Sequence, residues 1–153
     1  MEHQNYKEFQ FGWLLFVLIV PVHILFTYLF WYGIGDRPLT SSGFIISTLI
    51  FLIIYLLFYG MTTKITNDII SISFGIGLIH KRILIKKIVS VEPAEDPWYY
   101  GLGIRFIPHG MLYNIRGLHT VELKLHDTKN IIRIGTQNPN LLRQEIVKRM
   151  KMS

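Results

Sequence analysis

Six histidines, ten carboxylates and no cysteine are the groups from which this 153-residue chain can build a reactive centre. His3, His23, His80, His109, His119 and His126 show no close ligand spacing, and no H-E-x-x-H run occurs, so no metal site is assigned. Without cysteine there is no disulfide, no thiolate nucleophile and no thiolate–metal site. No serine stands in a G-x-S-x-G elbow. Gly75-Ile76-Gly77 and Gly101-Leu102-Gly103 each begin like a dinucleotide fingerprint. Both fail at the third glycine, where His80 and Phe106 stand, and neither opens a helix, so they read as strand bends. Glu92, Glu95 and Asp96 cluster, but Pro93 and Pro97 make that stretch a rigid loop rather than an acid–base pair. No catalytic residue and no cofactor is assigned, and the chain is expected not to be an enzyme.

The groups that remain suit binding. Trp98, Tyr99 and Tyr100 are three adjacent aromatics, which cannot all point inward from a loop. An exposed ring there marks a partner surface or a membrane-interface contact, unless Trp98 folds back to plug the core. Lys81, Arg82, Lys86 and Lys87 are candidates for contact with anionic headgroups, against the simpler reading of a solvated strand face. Arg105 requires an anion or a carbonyl cluster if it faces inward, because a buried charge must be paired. His23, with Thr48 as its expected polar neighbour, is the notable polar group within otherwise apolar sequence.

That apolar sequence is the main organising feature. Residues 9–35 and 39–63 carry no formal charge, and only Asp36 and Arg37 interrupt them. A helix of roughly 20 apolar residues crosses a hydrocarbon core about 30 Å thick. Spans are therefore expected at about 11–33 and 43–60, forming a helical hairpin with Pro21 and His23 near the middle of the first span. A cleaved signal peptide is disfavoured, since its apolar region is usually 7–15 residues and this run is far longer. Core helices of a soluble domain normally show a polar stripe, which is lacking here.

Charge sets the orientation. Fourteen of the 16 Lys and Arg residues and seven of the ten acids follow Met61, a net charge of +7 in that part. The excess of positive charge after the second span places residues 61–153 in the cytoplasm. The two-span hairpin then puts both termini there, in a multi-pass protein of the inner, cytoplasmic membrane. The sequence pI near 9.6 fits the anionic inner leaflet through non-specific attraction, with no nucleic acid as partner.

Beyond Met61 the period changes. Ile70, Ile72 and Phe74 alternate with Ser71 and Ser73; Ile83 and Ile85 alternate with Arg82, Leu84 and Lys86. Val121, Leu123 and Leu125 alternate with Glu122, Lys124 and His126, and Ile132 and Ile134 flank Arg133. Asn67-Asp68, Gly75 and Gly77, His109-Gly110, Arg116-Gly117 and Asp127-Thr128-Lys129-Asn130 supply turns. Short strands so spaced indicate an antiparallel sheet that curls or closes. Asn138 as cap and Pro139 at the first position open a final helix. Leu142, Ile146 and Met150 form its apolar stripe, while Arg143, Gln144, Lys148 and Arg149 are expected to face water.

Thr63-Lys64-Ile65-Thr66-Asn67, the hairpin that follows, and Ile88-Val89-Ser90-Val91 resemble the opening of bacterial pleckstrin-homology-like domains. Gly101-Leu102-Gly103-Ile104-Arg105-Phe106, Tyr113-Asn114-Ile115, Val121-Glu122-Leu123 and Arg133-Ile134-Gly135-Thr136 continue the resemblance, which covers roughly residues 62–150. It is to the small, two-span, membrane-anchored type. The resemblance implies a mainly-β, partly open barrel of about seven antiparallel strands capped by a C-terminal α-helix. It does not imply phosphoinositide binding, because the candidate turn Thr66-Asn67-Asp68 holds no basic residue.

The sequence thus divides into an N-terminal cytoplasmic segment (1–10), a transmembrane hairpin (11–60) and a cytoplasmic domain (61–153). The expected role is a membrane-anchored, non-catalytic adaptor or scaffold that binds a protein partner or self-assembles into a homo-oligomer. The alternative is an accessory subunit of a transporter or envelope enzyme complex.

Overall fold

In a computed structural model, which describes residues 6–126 and 130–152, the first described element is a strand. β1 (Tyr6–Phe11) precedes two helices, α1 (Trp13–Tyr32) and α2 (Ser41–Phe58). β2 (Gly60–Thr66) follows at once, and β1 pairs with it antiparallel along its whole length, from Tyr6 opposite Ile65 to Phe11 opposite Gly60. The helical hairpin is therefore an insertion between two neighbouring strands. Residues 6–11, which sequence left outside the domain, belong to its first sheet.

The helices are 20 and 18 residues long, about 30 and 27 Å at 1.5 Å per residue, and neither holds a buried residue. They are long and apolar enough to cross a membrane. Gly33, in the left-handed region at φ 60°, ends α1 with its N–H and that of Ile34 bonded back to Phe30 and Leu29 carbonyls. Thr40 caps α2, its hydroxyl accepting from the Gly43 N–H at 3.2 Å. Stacked rings join the base of the hairpin to β1 and close the hairpin at its far end. Phe11 stacks on Phe16 at 5.1 Å, Phe16 on Tyr55 at 5.3 Å, and Phe30 on Phe44 at 4.2 Å.

β3 (Ile69–Phe74) and β4 (Ile79–Leu84) complete a four-stranded antiparallel sheet in the order β1-β2-β3-β4. A short 3₁₀ turn, Ile85–Lys87, leads into β5 (Ile88–Glu95). A second 3₁₀ turn, Trp98–Tyr100, precedes β6 (Gly103–Ile107), β7 (Gly110–Asn114), β8 (His119–Leu125) and β9 (Ile131–Gly135). These form a five-stranded sheet in the order β5-β8-β9-β7-β6. The sheets do not close into a barrel. Nine strands stand among the described residues where about seven were expected. The pairing is not wholly antiparallel either, since β7 and β9 run parallel. One strand beyond those expected is β1, which lies ahead of the helices. Residues 127–129 of the expected 127–130 turn, and His3, lie outside the described residues.

One apolar core joins both sheets and the last helix, with Met61, Ile65, Ile72, Leu123, Ile134, Leu142 and Ile146 all fully buried. α3 (Pro139–Met150) lies against β5, β8 and the first 3₁₀ turn. Asn138 caps it as expected, accepting from the Leu141 N–H at 3.2 Å. Leu142 and Ile146 face the core, but Arg149 does not face water: it is 7% exposed and its guanidinium bonds Glu145, one helical turn back, at 2.6 Å. Its long stem lies along the apolar face while the charge finds an i,i+4 partner.

Candidate functional site

β1 carries the polar groups that seam the two sheets. Gln10 is fully buried, and its side-chain amide donates to the Gly135 carbonyl at 2.7 Å. Both oxygens of the Glu8 carboxylate are used. Oε1 accepts from the Gln137 N–H, and Oε2 from the hydroxyls of Thr136 and Tyr6, each at 2.7 Å. Burial, and then the Glu8 hydrogen bond and charge, push the Tyr6 phenol above its ordinary value. Glu8 and Gln10 therefore fasten the strand before the hairpin to the end of β9.

The second sheet holds a partly buried ionic cluster. Glu122 and Arg133 stand directly opposite on β8 and β9, and Arg133 clamps Glu122 Oε2 with Nε at 3.0 Å and a terminal nitrogen at 2.8 Å. Its other terminal nitrogen donates to Asp96, whose side chain is 2% exposed. Burial alone lowers the Arg133 pKa, but the hydrogen bonds and charges of Asp96 and Glu122 outweigh it and raise the net value. Asp96 also donates its N–H to Leu118, at 2.8 Å, so the cluster fixes the root of the loop that follows. Sequence reading passed over Arg133 as an outward strand residue. The opposed Glu122–Arg133 register was the available signal, and register is set only once both strands are placed.

On that loop stand the three aromatics. Pro97 and Gly101 bracket them, and Trp98, Tyr99 and Tyr100 pack edge-to-face at 6.1 and 5.2 Å. Trp98 is 81% exposed, so it does not plug the core, and Tyr99 is exposed beside it. Arg105 is also exposed, and its Nε donates to the Leu102 carbonyl at 3.0 Å. It is not a buried charge.

The four basic candidates do not share one face. Lys81 and Arg82, adjacent on the edge strand β4, project to opposite sides of it. Lys81 lines a cavity of about 490 Å³ with Phe106, His109, Met111 and Tyr113, at the opening between the sheets. Lys86 and Lys87 lie past Leu84, whose partner Ile69 begins β3. β3 ends at Phe74 beside the hairpin base, so this pair sits at the far end of the sheet from the helices.

Within the hairpin, His23 stacks on Phe51 at 4.6 Å and leans toward Tyr55. The Thr48 hydroxyl has no hydrogen-bond partner, so the expected His23–Thr48 pair is not formed. His23 instead lines a shallow groove on α1 with Thr27, Tyr28 and Trp31. Among the described residues, no three His, Asp or Glu side chains are grouped to hold a metal ion. No family model, curated protein or solved structure matches the chain.

Proposed function

We propose that this protein is a membrane-anchored, non-catalytic adaptor, in which a hairpin crossing the inner membrane holds a cytoplasmic β domain for partner binding or self-assembly. The observation that carries the reading is the direct pairing of β1 with β2 across the base of the hairpin. No linker separates anchor from domain, so the domain is presented in one fixed orientation, as recruitment at a surface requires. Membrane insertion is supported by the extensive exposed apolar surface of both helices, neither of which holds a buried residue, and in water such a surface amounts to an aggregation liability. The pairing of β1 also argues against removal of α1 as a signal, because cleavage after α1 would take a strand from the sheet. The charge bias favours a cytoplasmic domain.

A bacterial pleckstrin-homology-like relationship belongs to the same proposal, supported by the two packed sheets followed by a covering helix. The aromatic turn Trp98–Tyr100 is the proposed contact surface, because a partly buried ionic cluster holds its root while Trp98 and Tyr99 stay exposed. Attraction to anionic lipid is the weaker part, since Lys86 and Lys87 sit away from the hairpin. The groove around His23 favours a second reading, an accessory subunit that packs α1 against a transporter or envelope enzyme. Crosslinking in native membranes followed by affinity capture separates the two. The adaptor reading expects a homo-oligomer or a soluble partner lost on Trp98→Ala and Tyr99→Ala. Capture of one stoichiometric transporter subunit, insensitive to those changes and lost on His23→Leu, supports the second reading and overturns the first.

A further inference from the structure

The turn joining β3 to β4 is fastened to the hairpin, not only to the sheet. The Gly75 N–H donates to the Gly60 carbonyl at 2.8 Å, and the Ile76 N–H donates to the Leu56 carbonyl at 3.1 Å. Leu56 belongs to α2, two residues before its end, where helix carbonyls lack intrahelical partners. Gly75 makes the approach feasible. Its φ is 50°, and a Cβ there would lie 2.1 Å from the Leu56 oxygen. Phe58 meets Phe74 edge-on at 6.1 Å beneath the same junction.

What this turn carries is unusual for one facing water. Turns are dominated by Gly, Pro, Asn, Asp and Ser. Here Ile76 and Leu78 flank Gly77, 57% and 72% exposed, and no charged residue occurs from Ile69 to Ile79. Ile76 is bonded about 3 Å of helix axis from the end of α2, and so shares the depth at which that helix leaves the bilayer.

We propose that Ile76 and Leu78 form a second membrane contact, a wedge inserted at the boundary between acyl chains and headgroups beside α2. The inference rests on the reading of the hairpin as membrane-spanning. Its occupant is lipid of the same bilayer, because the turn is hydrogen-bonded to the helix that enters it. Contact at the hairpin and at the turn together stops the domain from tilting about the junction of β1 and α1.

The chain has no cysteine, so a single introduced one reports a single site. The full chain is reconstituted in vesicles of phosphatidylcholine and phosphatidylglycerol, some carrying a nitroxide near the headgroup. An environment-sensitive fluorophore is placed at Ile76→Cys or Leu78→Cys. Leu49→Cys, mid-way along α2, marks depth, and Asp68→Cys, at the other end of β3, marks water. The expected result is blue-shifted emission at 76 and 78, with nitroxide quenching several-fold stronger than at 68 and protection from aqueous iodide. If 76 and 78 behave like 68 while 49 is membrane-buried, the wedge is refuted and the spanning reading stands. If 49 also behaves like 68, the spanning reading fails and takes the wedge with it. Should the chain with Ile76→Cys not fold, Leu78→Cys decides alone, because Leu78 packs in no core.

Discussion

The two sheets of the domain are held together by different means. The four-stranded sheet is split in sequence: 48 residues of helical hairpin and junction, 12–59, separate β1 from β2, yet the strands meet in full register. Its edge is fixed to the rest of the domain by a few polar groups, Tyr6, Glu8 and Gln10. The five-stranded sheet is contiguous in sequence, and a charged cluster of Arg133, Glu122 and Asp96 braces it. The helical hairpin is thus built into the first sheet, whereas the second sheet is drawn from one stretch of sequence, 88–135.

The sharpest way to break that distinction is to remove β1. A fragment of residues 61–153 leaves β2 as an unpaired edge and deletes the partners of Gly135, Thr136 and Gln137. It is expected to lack a cooperative thermal transition by circular dichroism. Joining residues 6–11 to residue 60 through Asn-Gly restores the sheet, since Phe11 faces Gly60 and a two-residue turn fits that geometry. A cooperative melt of the 61–153 fragment at the same temperature as the joined chain would refute the role assigned to β1.

A smaller effect is expected from the second sheet. Arg133→Ala strands the buried Asp96 carboxylate and the mostly buried Glu122, and is expected to cost about 3 kcal/mol, toward the lower end for breaking a buried ion pair. Chemical denaturation of the full chain in detergent reads this directly. A loss below about 0.5 kcal/mol, within the range for an exposed pair, would mean the cluster does not brace the sheet.

The smallest effect lies at the seam. Tyr6 has a folded-state pKa above its ordinary 10.0, chiefly through burial and then through Glu8, so folding favours the protonated phenol. That contribution is complete below pH 10 and is lost as pH rises toward the raised value. Tyr6→Phe is expected to cost about 1 kcal/mol at neutral pH through the lost hydrogen bond. The gap between mutant and wild type should shrink as pH climbs above 10. Tyr113, whose phenol burial also raises, is common to both chains and cancels. A gap that stays constant with pH would show that the Tyr6 hydroxyl is not buried at the seam.

Sequence reading recovered the elements whose signal is local. Two uncharged runs became α1 and α2, and the alternations at Ile70–Phe74, Val121–Leu125 and Ile132–Ile134 became β3, β8 and β9. Asn138-Pro139 became the start of α3. It missed β1 because Tyr6-Lys7-Glu8-Phe9-Gln10 has no partner within 48 residues and merges into the apolar run behind it. It grouped Lys81, Arg82, Lys86 and Lys87 by proximity in sequence, but strand direction carries the last two away from the hairpin. That at least one of the three crowded rings is exposed was legible in the sequence, but that Trp98 is one of them was not, and the ionic cluster beneath depends on register between β8 and β9. The exposure of Arg105 was not legible from alternation, because adjacent Phe106 is exposed too while Ile107, on the same strand face as Arg105, is buried.

The central claim is that β1 pairs with β2 across the base of the hairpin. Lys7 and Lys64 stand directly opposite and are both exposed. Opposed residues in an antiparallel pair lie about 4.5–5.5 Å apart at Cα, within disulfide reach. In this cysteine-free chain, Lys7→Cys and Lys64→Cys are combined with a protease site in the loop between α1 and α2. Membranes are oxidised, cleaved and resolved under denaturing conditions. The account predicts that the two pieces remain joined until reductant is added, and that Lys7→Cys with Lys124→Cys leaves them separate. Separation of the Lys7–Lys64 pieces without reductant would contradict it.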